Sequence, residues 1–197
     1  MANATGWVAA VVGASGFALV GSGVLSGHVA ADIVGAASTL SLLVGSVPLQ
    51  RSVTAGRLPH WGFRLVRIGL GCAVLMHVLA MVGPRLPPYA AVVAATAGLP
   101  LMIATHLAYI GTSLIGVALL RSRWWHPIAW LLTTATPVIL VGVPASLAIG
   151  DPGWSALVAW LVTEGQLALG WIGLAIRPPV RTAGGSQCRR SGHWPCS

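Results

Sequence analysis

Four ionisable side chains interrupt apolar stretches of this sequence: Asp32, His77, His106 and Glu164. Burying a titratable group in hydrocarbon costs several kcal/mol, so such groups usually face the interior of a helix bundle and mark functional sites. Imidazole is a common neutral ligand of haem iron and divalent metals, and a nearby carboxylate balances charge. The residue types therefore predict a polar site inside a membrane-embedded bundle.

Three of these side chains are predicted to share one depth. Counting 1.5 Å per residue from the expected cytoplasmic helix ends places His77, His106 and Glu164 at roughly 18 to 21 Å, close to the bilayer midplane. We expect them to form an intramembrane polar site. Asp32 lies further out, at roughly 26 Å, and His28 precedes it by one helical turn on the same face. This spacing predicts a His28–Asp32 pair at the outer mouth.

Two ligand chemistries fit this set of residues. In the first, His77 and His106 supply two axial imidazoles to a b-type haem, or join Glu164 around a divalent metal ion. In the second, the titratable groups line a path for protons or ions in a transporter or channel. That path ends near the midplane, because few polar residues follow it toward the cytoplasm.

An enzymatic interpretation is also open. The chain resembles the small integral-membrane terpene cyclases in its size, its many helices and its sparse acidic residues. The resemblance implies chemistry on a lipid or isoprenoid, with Glu164 or Asp32 as proton donor and Trp160 and Trp171 lining an apolar pocket. The fourth interpretation is structural: buried histidines hold helices together in an accessory membrane subunit. The sequence favours this last interpretation over an enzyme.

The elements that must position these residues are transmembrane helices. Of the 197 residues, 56% are hydrophobic and only 7% are charged, against roughly a quarter in an average soluble domain, which excludes a soluble fold and a disordered chain. A span needs about 20 apolar residues, and six such stretches occur. The sequence predicts an all-α, polytopic six-helix bundle over residues 1–176, with spans near 7–25, 29–49, 65–83, 99–120, 128–149 and 155–176. Internal prolines predict kinks at Pro100, Pro137 and Pro144.

The arginines predict the orientation of this bundle. Ten of the eleven basic residues fall on one side of the predicted membrane, and Arg85 falls on the other. The positive-inside rule then places both termini in the cytoplasm. We expect the membrane to be the bacterial plasma membrane. Residues 177–197 are expected to form a disordered basic tail that contacts anionic lipid headgroups.

The net charge of +8 does not indicate a nucleic-acid partner, because the basic residues border the apolar runs. Other membrane subunits are the expected protein partners. In the tail, the spacing of Cys188, His193 and Cys196 matches no standard zinc signature, so no metal site is predicted there.

Overall fold

The computed structural model describes residues 4–22, 28–53, 56–124 and 126–176, and within these ranges every regular element is helical. This confirms the all-α prediction for that part of the chain. The predicted basic tail, with Cys188, His193 and Cys196, lies outside the described residues. The helices are α1 (Ala4–Gly21), α2 (His28–Ser52), α3 (Arg57–Val82), α4 (Pro88–Thr105), α5 (Leu107–Arg121), α6 (Pro127–Thr133), α7 (Ala135–Leu147), α8 (Pro152–Trp160) and α9 (Gln166–Ile176), with a 3₁₀ turn at Gly83–Arg85 and a π-helical segment at Leu161–Gly165.

Several of these helices are long and apolar enough to cross a membrane. By length and composition, four stretches qualify: Val29–Ser52, Arg57–Arg85, Pro88–Arg121 and Pro152–Ile176. The pair α6–α7 qualifies as a fifth when its two bent halves are taken together, and α1 contributes the shorter apolar helix Gly6–Val20. The described helices are thus those of a multi-pass membrane bundle with four or five candidate spans, against the six predicted.

Proline and aspartate set where several helices begin. Pro88, Pro127 and Pro152 occupy the first turns of α4, α6 and α8, where a missing N–H is harmless. Asp151 caps α8 by accepting the backbone N–H of Trp154 at 2.9 Å. The predicted fourth span accordingly starts at residue 88 rather than 99. The third starts at Arg57 rather than Leu65, which brings arginines predicted in a loop onto α3.

The last three predicted spans are interrupted helices. The run 99–120 is broken at His106, the run 128–149 at Thr134, and the run 155–176 contains the π-helical segment. The bend between α6 and α7 is 61°. It lies just before Pro137. A proline lacks a backbone N–H donor, and its ring clashes with the carbonyl group four residues earlier. Pro100 and Pro144, in contrast, lie inside α4 and α7.

The core lies at the arginine-rich end of the bundle, where six helices pack in the cyclic order α1, α2, α3, α5, α6 and α9. Small residues allow the backbones to approach, as expected in lipid. A Cβ placed on Gly62 of α3 would lie 2.8 Å from the Gly111 carbonyl oxygen of α5, closer than real contacts allow. The largest buried side chains of this core include Leu49, Phe63, Leu119, Leu132, Trp171 and Leu174.

The opposite end of the bundle is more loosely packed. None of the residues of α4 is buried, and this helix packs mainly on α3. α7 packs on α8, on the π-helical segment and on α5. A space is left between these groups of helices, and this space is the candidate site.

Candidate functional site

A cavity of about 520 Å³ lies at the end of the bundle opposite the arginine-rich core, and the three residues predicted to form the intramembrane site all line it. His77 comes from α3, His106 from the α4–α5 break and Glu164 from the π-helical segment. Most of the remaining wall is apolar, with contributions from α1, α3, α5, α7 and α9. The volume lies within the roughly 300–1,000 Å³ range of small-molecule sites.

His77 is held by α2 rather than by its own helix. Its Nδ1 lies 3.0 Å from Asp32 Oδ1, within hydrogen-bond distance. Gly35 makes room for the ring, since a Cβ there would lie 2.6 Å from His77 Nε2. The predicted pair between Asp32 and His28 stays a prediction, because the side chain of His28 lies outside the described set. The structure gives Asp32 a partner on the neighbouring helix.

His106 occupies the break between α4 and α5. Its Nδ1 lies 3.1 Å from the Met102 carbonyl oxygen, and its ring is tilted against that of Tyr109 with 6.2 Å between centroids. A carbonyl oxygen only accepts hydrogen bonds, so Nδ1 carries the proton and Nε2 of the neutral ring is an acceptor. When Nδ1 of a neutral His77 ring donates to the Asp32 carboxylate, Nε2 of that ring is an acceptor as well.

The α4–α5 break packs against α3 two turns before His77. A Cβ on Gly69 of α3 would lie 2.9 Å from the Thr105 carbonyl oxygen, so the break faces Gly69. His77 is eight residues beyond Gly69, or about 12 Å further along the helix backbone. The prediction that the His77 and His106 side chains share one depth stays a prediction, and the structure places both on the wall of the same cavity.

Glu164 lies in the π-helical segment, a local widening that is frequent at functional sites. Thr163 donates a hydrogen bond to Glu164 Oε2. The start of the segment is anchored by Trp160, whose Nε1 donates to the Ala18 carbonyl oxygen of α1 at 2.8 Å. The sequence pattern did not reveal this π-helical segment, because a single wider turn leaves the surrounding stretch as apolar as an ordinary α-helix.

Polar side chains satisfy the backbone groups that the α6–α7 break exposes. Gln166 of α9 donates through Nε2 to the Leu131 carbonyl oxygen at 2.9 Å and to Thr134 Oγ1 at 2.8 Å. Ser113 of α5 accepts the backbone N–H of Thr136 at 2.9 Å. Broken helices persist in membranes only where such partners replace the missing bonds. These contacts therefore fix the start of α7, which carries part of the cavity wall.

A second polar cluster joins α2 and α3 nearer the arginine-rich end. Arg67 donates through Nη2 to Gln50 Oε1 at 2.6 Å and through Nε to Ser46 Oγ at 3.2 Å. Gln50 Nε2 lies 3.3 Å from His60 Nδ1. Sequence reasoning missed this cluster, although the recurrence of Asp32, Thr39 and Ser46 every seven residues marks the face of α2 that carries it.

Four polar atoms of the residues that line the cavity have no hydrogen-bond partner within the described part of the chain. They are His77 Nε2, His106 Nε2, Tyr109 Oη and Glu164 Oε1. None of them is fully enclosed, since every buried side-chain nitrogen or oxygen there has a partner. The two imidazole nitrogens are acceptors in the neutral rings, and a carboxylate oxygen accepts hydrogen bonds as well.

The three predicted site residues do not form a single metal centre. Among the described residues, no group of three or more His, Cys, Asp or Glu side chains is placed to hold one metal ion. His77, His106 and Glu164 thus share a cavity without converging on a point. A divalent ion ligated by all three, one of the sequence hypotheses, does not fit this geometry.

No family model matches the chain, and no similar curated protein or solved structure was found. The cavity therefore carries the functional argument.

Proposed function

We propose that the chain crosses the bacterial plasma membrane six times, with both termini in the cytoplasm. Under this topology the arginines lie at the facing ends of α2 and α3, at the end of α5 and in the connection that follows it, and in the tail after α9, on the side that the positive-inside rule requires. The core end of the bundle then faces the cytoplasm and the anionic headgroups of that leaflet. The cavity lies in the outer half, and other membrane subunits would contact the lipid-facing surface.

In this membrane the protein binds an amphipathic, membrane-soluble molecule in the outer cavity. The observation that carries this function is a mostly apolar cavity with a few unpartnered polar atoms on its walls. Ligand sites have this composition, because apolar walls supply affinity and a few polar groups fix orientation. A purely structural role for the histidines does not require a space of this size beside them.

Entry from the lipid is supported by the exposure of the rim. Leu140 of α7 lines the cavity and is 70% exposed, and His106 on the opposite side is exposed as well. α4 is packed on α3 and α7 on α8, so the gap between α4 and α7 faces outward. A molecule dissolved in the bilayer would enter sideways through this gap, without crossing water.

Photolabelling of the protein in lipid nanodiscs with a trifluoromethyl phenyl diazirine tests this function. This neutral carbene precursor dissolves in bilayers, and labelled residues are mapped by mass spectrometry. We expect saturable labelling of the buried cavity residue Leu167 and non-saturable labelling of the lipid-facing Val93. Leu140→Trp should abolish the label on Leu167 by filling the entrance. The matched control is Val141→Trp, which changes a neighbour that is also 70% exposed and does not line the cavity.

Labelling confined to lipid-facing positions would refute the binding function, as would equal labelling of Leu167 in both tryptophan variants. Near-ultraviolet circular dichroism of the variants establishes that the tryptophans have not disrupted the bundle.

Haem binding is a second candidate, favoured by the orientation of the two imidazoles. Histidines that ligate a metal usually donate their other N–H to a carboxylate or a backbone carbonyl. His77 is so placed against Asp32, and His106 against the Met102 carbonyl. The test is an oxidised and reduced absorption spectrum of purified protein, with His77→Ala/His106→Ala as control. A Soret band lost in the double variant supports haem, and a wild-type spectrum without one excludes it.

A further inference from the structure

The outer cavity carries an acidic group without a basic partner. Thr163 hydrogen-bonds one oxygen of Glu164, and the other oxygen receives no donor from the described residues. No arginine lines the cavity, and the sequence contains no lysine. Asp32, the nearest comparable carboxylate, is already paired with His77. A carboxylate in an apolar surrounding is costly unless an opposite charge accompanies it.

The other polar atoms of the cavity also favour a ligand that donates hydrogen bonds. His77 Nε2 and His106 Nε2 are acceptors, because Nδ1 of each ring carries the proton. Together with Glu164 Oε1, they make the walls rich in acceptors and poor in donors. An anionic ligand would meet none of the cationic donors that anions require.

Aromatic rings on the cavity wall also favour a positively charged ligand. Phe17 of α1 and Tyr109 of α5 both line the cavity. The face of an aromatic ring attracts a cation through the ring quadrupole. The carboxylate, the acceptors and the rings thus all select positive charge.

We propose that the ligand of the outer cavity is a lipophilic cation, an ammonium or other onium group on an apolar body, with Glu164 as its counter-ion. This inference rests on the proposed binding function and narrows its ligand class. The onium group pairs with Glu164 Oε1, and the apolar body lies against the α7 wall. No covalent step is involved.

Competition between two ions of equal shape tests the charge preference. Tetraphenylphosphonium and tetraphenylborate have nearly the same size and opposite charge. Each is titrated against diazirine labelling of Leu167 in nanodisc-reconstituted protein, with concentrations referred to the amount partitioned into the lipid. We expect the phosphonium ion to suppress the label at concentrations at least tenfold lower than the borate ion. In Glu164→Gln the phosphonium ion should lose at least tenfold in potency, while labelling by the neutral diazirine persists.

The matched control is Asp151→Asn. It removes one negative charge by the same carboxylate-to-amide change at the start of α8, outside the cavity, and asparagine retains the capping ability. It should behave as wild type. Equal potency of the two ions, or unchanged phosphonium potency in Glu164→Gln, would overturn the cation proposal and leave the binding function standing. Absence of any diazirine label on Leu167 would instead overturn both.

Discussion

Asp32 and His77 bind each other across the α2–α3 interface, with 3.0 Å between Oδ1 and Nδ1. The contact joins two helices and fixes one imidazole of the cavity. Asp32 itself does not line the cavity, and Glu164 is the acidic side chain on its wall. The same pair thus contributes to the packing of the bundle and to the position of a cavity residue.

A double-mutant cycle measures the strength of this pair. Asp32→Asn and His77→Gln each weaken the contact, and interhelical hydrogen bonds in membranes contribute about 0.6 kcal/mol on average and up to about 1.7 kcal/mol. We expect a coupling energy of about 1 kcal/mol from chemical unfolding in mixed micelles. Strictly additive effects of the two substitutions would show that the contact contributes nothing to stability.

Gly35→Ala should destabilise the bundle through His77. The added methyl group would lie 2.6 Å from Nε2, so the ring must leave its place beside Asp32, and overpacking of this kind costs roughly 1–3 kcal/mol. Gly71→Ala is the control on α3, where a Cβ meets nothing within 4 Å and the change removes a poor helix former. We expect Gly71→Ala to be neutral or stabilising in the same unfolding assay.

Removing the ring should relieve the clash. His77→Ala combined with Gly35→Ala is expected to be no less stable than His77→Ala alone. If Gly35→Ala costs the same in both backgrounds, the histidine is not the group that the methyl displaces.

Gln166→Met should weaken the α6–α7 break specifically. The methionine keeps the length of the side chain and loses both donated hydrogen bonds, so the Leu131 carbonyl keeps only the longer side-chain contact from Thr134 Oγ1, at 3.3 Å. Each lost hydrogen bond contributes about 0.5–1.5 kcal/mol to stability. The control is Thr96→Val on exposed α4, whose hydroxyl bonds only to its own helix, at the Val92 carbonyl. Unfolding of the two variants gives the comparison, and equal stability would mean that Gln166 does not support the break.

The sequence predicted the apolar helices and the residues of the cavity for a simple physical reason. Long apolar runs and titratable groups within them are both visible in one dimension, so His77, His106 and Glu164 could be selected before their surroundings were known. The hydrogen-bond partners of these side chains could not be predicted, because they depend on how neighbouring helices are aligned along their axes. The sequence pointed to His28, on the same helix, as a partner of Asp32, whereas the contact of Asp32 with His77 depends on the antiparallel packing of α2 and α3.

Helix breaks were predicted less well than helices. Pro137 pointed to a kink that the structure contains, while Pro100 and Pro144 carry the same signal inside continuous helices. The break at Thr134 exposes backbone groups that need hydrogen-bond partners, and Gln166 and Ser113 on other helices supply them. The π-helical segment around Glu164 likewise depends on the anchor between Trp160 and Ala18. Such tertiary partners leave no periodic pattern in the sequence.

The bend at Thr134 makes α6–α7 the element on which the number of spans depends. If the pair crosses the membrane, Ser122 and Gly150 lie on opposite sides, and if it re-enters, they lie on the same side. The arginines favour crossing, because Arg121 and Arg123 before the pair and Arg177 after α9 then share the cytoplasmic side. Both test positions are exposed, and each lies in a connection between helices.

Cysteine accessibility distinguishes these two arrangements. In a background with Cys72, Cys188 and Cys196 changed to serine, we expect Gly150→Cys to react with a membrane-impermeant maleimide added to intact cells. Ser122→Cys should react only after the membrane is permeabilised, since six spans place it in the cytoplasm. Reaction of both cysteines under the same condition would make α6–α7 a re-entrant hairpin. In that arrangement α8 and α9 would still cross the membrane, starting from the side that holds Arg121, and Arg177 would lie outside the cell. The positive-inside rule would then no longer support a cytoplasmic C-terminus.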